Sequence, residues 1–94
     1  MVIARVRFLS LDEGRRTSPP SSSYHPQVAV GNEYTCCIIE SLGGETTFAS
    51  DLEHHVSLRL LFPDRYPDAF AVGKAVYFYE GNHLIGAGVI LEVE

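Results

Sequence analysis

The chain has no tryptophan, one methionine and two cysteines, and it is short of basic side chains: seven lysines and arginines face twelve aspartates and glutamates, a net charge of -5. That balance argues against a surface built to neutralise many phosphates, and so against nonspecific nucleic-acid binding. The two cysteines, Cys36 and Cys37, are adjacent. Neighbouring alpha carbons lie about 3.8 Å apart, closer than the roughly 4.4 to 6.8 Å usual for a disulfide, so two reduced thiols are expected. A cysteine pair without further ligands at suitable spacing supplies no metal centre. No Gly-rich loop followed by Gly-Lys-Ser/Thr is present to cradle phosphates, which argues against GTP binding. No Gly-x-Ser-x-Gly turn is present to expose a serine nucleophile. The opening run "MVIARVRFLS" is broken by Arg5 and Arg7 and fits neither a secretory signal nor a membrane span, so a cytoplasmic protein is expected.

The rest of the composition is that of a folded chain. It is 46% apolar, with five phenylalanines and five tyrosines, and its 94 residues suit one domain over 1–94 with a single modest core. Strands dominate the pattern. In "IARVRFL" the alternation sets Ala4, Val6 and Phe8 on a core face and Arg5 and Arg7 on the other. "QVAV" is a short apolar run, and "YTCCIIESL" is rich in β-branched and aromatic residues before Gly43-Gly44. "HVSLRLLF" points Val56, Leu58, Leu60 and Phe62 inward and Arg59 outward. "GKAVYFYEGN" sets Val76 and Phe78 on one face and Ala75, Tyr77 and Tyr79 on the other, turning at Gly81-Asn82. "HLIGAGVILEV" sets Ile85, Ala87 and Val89 on one face and Gly86 and Gly88 on the other, where the glycines allow close backbone approach. No helical period stands out beyond a short turn in "SDLEHH". About six closely spaced strands predict a sandwich or a barrel.

Between the first two strands lies "LSLDEGRRTSPPSSSYHPQ", a coil over 11–26 that is unusually long for so small a chain. Its Leu9, Ser10, Asp12, Glu13, Gly14, Arg16, Pro19, Tyr24, Pro26 and Gln27, together with Glu80, Gly81, Gly86, Ala87, Gly88 and Val89 of the last hairpin, resemble the carboxy-terminal domain of elongation factor Tu and related translation GTPases. The resemblance runs over nearly the whole chain, with the motifs concentrated at its two ends. It implies an all-β, closed six-stranded antiparallel Greek-key barrel. Tyr24 and Pro26 are expected to anchor the far end of the loop, since an aromatic buries a large apolar area and proline limits the freedom of the unfolded chain. The chain departs from the family between Gly43 and Gly73, where the Pro-Gly-Asp turn is missing. Gly31, Thr17, His25, Tyr79 and His83 also stand where the family carries basic residues or a histidine. Neither the nucleotide-binding domain nor the second barrel of those factors is present in these residues.

Candidate functional residues are few, and none forms a catalytic or metal constellation. His54 and His55 are strand neighbours that face opposite ways and lack a third ligand. Asp12 and Glu13 read as turn residues. Arg15 and Arg16 either bind an anion or an acidic partner, or stand solvated with Arg16 pinning the loop. Tyr77 and Tyr79 project outward about 6 to 7 Å apart, as interface aromatics or as packing under the long loop. The expectation is therefore a noncatalytic, cofactor-free binding module, with contacts drawn from Arg15, Arg16, His25, Tyr77, Tyr79, Glu80 and Gly81. Its partner would be a protein of the translation apparatus or a second copy. The alternative, implied by the resemblance, is RNA binding in the manner of the acceptor-T arm of tRNA, through the 11–26 loop and the 80–83 hairpin.

Overall fold

A computed structural model describes residues 2–9, 25–31, 33–44, 46–66, 68–81 and 83–93. Six strands are present: β1 (Val2–Phe8), β2 (Gln27–Val30), β3 (Glu33–Ser41), β4 (Glu53–Leu60), β5 (Ala75–Glu80) and β6 (His83–Val93). They close into an antiparallel barrel in the order β1-β4-β3-β2-β5-β6. Strands β2, β3 and β4 follow one another as neighbours, while β1 returns beside β4, which is the Greek-key arrangement. In a ring of six, β1 and β2 stand on opposite sides, so the connection between them has the width of the barrel to bridge. That topology accounts for the length of the 11–26 connection. Of its residues, 11–24 lie outside the described set, and with them the expectations for Arg15, Arg16 and Tyr24.

Alternation places the core as the sequence predicts over most of the barrel. Ala4, Val6 and Phe8 are buried while Arg5 and Arg7 are exposed, and in β4 His54, Val56, Leu58 and Leu60 are buried while His55 and Arg59 are exposed. In β5, Val76 and Phe78 are buried and Tyr77 is exposed. Pro26 is fully buried, and its carbonyl accepts a hydrogen bond from the Cys37 amide at 3.1 Å, which fixes the entry into β2.

Two expectations fail. Phe62 does not continue the inward face of β4: the strand ends at Leu60, Pro63 starts a single 3-10 turn over Pro63–Arg65, and Phe62 is 57% exposed. A proline offers no amide to the ladder, so the alternation cannot run on. The second failure is in β6. Its ladder with β5 shifts between Phe78 and Tyr79, where Phe78 pairs with Gly86 but Tyr79 with Leu84, leaving Ile85 as an extra residue. Such a bulge turns the following side chains over. Gly86 and Gly88 therefore oppose the inward Phe8 and Val6 of β1, and Ala87 and Val89 fall on the outward side, where they are half-buried. Ile85 remains in the core, and Ile90, opposite Ala4, joins it.

The ends of the barrel are closed by loops. At the end where β1 stops and β4 starts, Phe48 of the 42–52 connection is fully buried, stacked on Phe8 with ring centroids 5.3 Å apart. His54 meets Phe48 edge to face at 5.2 Å and donates from Nε2 to the Ala49 carbonyl at 2.8 Å, tying that connection to β4. The turn expected in "SDLEHH" is present at Ser50 and Asp51, with Asp51 at φ 63, and β4 begins at Glu53. At the opposite end, Ala69 is buried and Tyr66 and Phe70 pack against the core, held by Lys74 Nζ to the Ala69 carbonyl at 3.3 Å and by the Gly73 amide to the Ile90 carbonyl at 2.8 Å.

Candidate interaction surface

Strand register assembles most of the described candidate residues on one side of the barrel. Gln27 pairs with Tyr79 in β5 and with Cys36 in β3, so the entry to β2, including the exposed His25, lies beside the β5–β6 hairpin. That hairpin turns at Gly81, whose φ of 59 suits glycine, with Glu80 opposite His83. Glu80 is half-buried and already engaged in an interaction within the chain.

The outer face beneath this hairpin is aromatic. Tyr34 opposes Ala29 at the start of β3, and its ring meets the Tyr79 ring edge to face with centroids 5.1 Å apart. The two rings lean together across β2, whose outward Ala29 is too small to separate them. Tyr79 is half-buried by this contact, while Tyr34 is 56% exposed and Tyr77 is 46% exposed. Tyr77 in turn pairs with Ala87 of β6, another small outward residue, and Leu84 beside Tyr79 is also exposed. A ridge of three tyrosines flanked by small side chains results. Sequence reasoning found Tyr77 and Tyr79 but passed over Tyr34. Its outward parity was readable from the inward Thr35, Cys37 and Ile39, but its placement beside Tyr79 depends on which strands pair.

The two arginines of β1 stand elsewhere on the outer surface. Arg5 Nε lies 3.7 Å from Glu53 Oε1, both side chains being well exposed, so the pair contributes little to stability. Among the described residues no group of three or more His, Cys, Asp or Glu side chains is arranged to hold a metal ion. None of the described helices is long and apolar enough to cross a membrane.

The cysteines are both free, Cys36 half-buried and Cys37 fully buried. Burial pushes the Cys37 thiol up to about 12, only partly opposed by the hydrogen bond its sulfur accepts from the Arg59 backbone, and the neighbouring Cys36 adds to the rise. The thiolate is the reactive species, so Cys37 should be inert in the folded protein. Titration with a chromogenic disulfide at pH 8 is expected to modify Cys36 alone and to reach Cys37 only in denaturant; rapid modification of both in buffer would show the β3–β4 wall to open. The folded thiol keeps its proton to about 12 and the ordinary value is 9.0, so stability is undiminished below pH 9 and falls as pH rises through that window.

No protein-family model matches the chain, and no curated protein matches it.

Proposed function

We propose that the protein is a noncatalytic binding module that engages a partner protein through the ridge of Tyr34, Tyr77 and Tyr79. The observation that carries this reading is the gathering of three tyrosines from two strands on one outer face, two of them exposed. Tyrosine offers large apolar area at low entropy cost and is over-represented among residues that dominate binding energy. The sequence resemblance to the elongation factor Tu carboxy-terminal domain supports a partner in the translation apparatus. The two free thiols suit a reducing cytoplasm. The alternative, tRNA-like RNA binding, draws on the position of His25 beside Glu80 and Gly81, and it is opposed by the net charge of -5.

The test is affinity purification of the tagged protein from its own cells, beside a Tyr34→Ser, Tyr77→Ser variant. Both tyrosines are exposed, so the variant should unfold at nearly the wild-type denaturant concentration. The expected outcome is a partner protein retained after nuclease treatment by the wild type and lost by the variant. An eluate dominated by RNA, sensitive to salt and abolished by Arg15→Ala with Arg16→Ala, would instead establish the RNA reading.

A further inference from the structure

A row of outward positions across β5, β6 and β1 joins the tyrosine ridge to a cation. Tyr77 pairs with Ala87, and Ala87 pairs with Arg7, so the three stand side by side on the outer face. Neighbouring strands lie about 4.8 Å apart, which sets the Tyr77 and Arg7 alpha carbons about 9 to 10 Å from each other. Ala87 between them is small and half-buried, while Tyr77 and Arg7 are exposed. A shallow saddle results, with an aromatic ring on one rim and a guanidinium on the other.

Among the described residues the Arg7 charge has no partner. Glu53 stands opposite Arg7 in β4, but its carboxylate lies 3.7 Å from Arg5 Nε, and no ion pair engages Arg7. The saddle therefore carries one unopposed positive charge. Its backbone, in contrast, is already committed: β6 is laddered to β5 on one edge and to β1 on the other, so an incoming strand finds no free edge there. An occupant of the saddle must be held by its side chains.

From this arrangement we infer that the ridge takes a proline-rich segment of the partner protein in the polyproline II conformation, with a proline and an acidic residue three positions apart. Polyproline II has three residues per turn and rises about 3.1 Å per residue, so side chains three apart share a face and lie about 9.3 Å from each other. That repeat matches the separation of Tyr77 from Arg7. The proline ring packs on the tyrosine, the carboxylate meets the guanidinium, whose planar donors suit it, and the two residues between them pass over Ala87. Such a helix keeps its backbone in water and so needs no sheet edge, and its conformation is largely set before binding, which lets a shallow site hold it. One unopposed cation on a chain of net charge -5 suits a single carboxylate better than a row of phosphates. The inference rests on the tyrosine ridge being a protein-binding face and names the chemistry of what that face binds.

The experiment is an amide NMR titration of the whole chain with the peptide Ser-Pro-Pro-Ala-Pro-Pro-Ala-Glu-Ser, beside the same peptide with glutamine for glutamate and a third with alanine for every proline. Saturable shifts of the Tyr77, Ala87 and Arg7 amides are expected at sub-millimolar peptide. The glutamine peptide should bind about three- to fivefold more weakly, the loss of one exposed ion pair, and the proline-free peptide should not saturate. Arg7→Gln should weaken the glutamate peptide by the same factor and leave the glutamine peptide unchanged, while Tyr77→Ser should abolish binding of both. Each residue is exposed, so both variants should keep a denaturation midpoint near that of the wild type. The absence of saturable shifts would overturn the inference, as would equal binding of the glutamate and glutamine peptides. So would a tighter, salt-sensitive shift of the same amides by oligouridylate, which would give the face to RNA. A partner protein lost from the Tyr34→Ser, Tyr77→Ser eluate while no proline peptide binds would refute the proline chemistry and leave the binding face standing.

Discussion

Gly88→Ala is expected to destabilise the barrel by about 3 kcal/mol or more, the upper end of the range for overpacked cores. A Cβ built at Gly88 would press into the Arg5 carbonyl oxygen and lie 2.6 Å from Val6 Cγ1 and 3.0 Å from Val6 Cα. Two of those three atoms belong to the β1 backbone, which cannot rotate aside as a side chain can. The only relief is to move β6 away from β1, and that strains the ladder from Val2 to Phe8. Gly86→Ala provides the comparison. There the nearest atom is Phe8 Cδ1 at 2.9 Å, followed by the Arg7 carbonyl at 3.1 Å. A ring can tilt, so this substitution should cost less, about 1 to 2 kcal/mol. Small domains have only about 5 to 10 kcal/mol of stability, so Gly88→Ala should lower the urea midpoint severely and Gly88→Val should prevent folding. Equal midpoints for the two alanine variants would show that β6 sits further from β1 than described.

The reason both positions are glycine lies in the layers of the core. Phe8 and Phe78 flank Gly86 from the two neighbouring strands, and their rings approach to 6.4 Å across it. Val6 and Val76 flank Gly88 in the same way. Large, absent and large side chains alternate around the barrel, which is how a small closed sheet fits its interior.

Much of this was legible in the sequence because a half-buried strand reports its own faces. Ala4, Val6 and Phe8 against Arg5 and Arg7 need no partner strand to be interpreted, and the same holds for Val56, Leu58 and Leu60. What failed was information held between strands. The extra residue at Ile85 exchanges the faces of β6, yet "LIGAGVI" reads as regular alternation in isolation. The glycines were correctly read as sites of close approach but placed on the face opposite Ile85, which the bulge brings to the same core side. Tyr34 was missed for a related cause: its contact with Tyr79 spans β2 and exists only once β3 and β5 are known to flank that strand.

The position with least sequence signal is Phe48, a single aromatic in the polar run "GGETTFASD". It belongs to none of the six strands, yet it is as buried as any residue of β1. Its ring stacks on Phe8 and receives His54 edge to face, closing the end of the barrel. Phe48→Ala would remove one partner from each of those contacts and open the layer of Phe8 and Phe78 to water. Buried phenylalanine truncations cost about 3 to 5 kcal/mol, through lost transfer energy and the cavity left behind. Phe48→Leu, which keeps most of the apolar volume, should cost about 1 kcal/mol, as volume-conserving exchanges do. The histidine supplies an independent reading of the same event. With Phe48 gone, the bond from His54 Nε2 to the Ala49 carbonyl loses its apolar cover, and the Ala49 segment should exchange its amide hydrogens faster than in the wild type. Denaturant unfolding of the alanine and leucine variants, together with hydrogen exchange over 46–52, measures both effects. A loss below about 1 kcal/mol for Phe48→Ala, in the range of surface substitutions, with exchange unchanged, would mean that the 42–52 connection does not close the barrel.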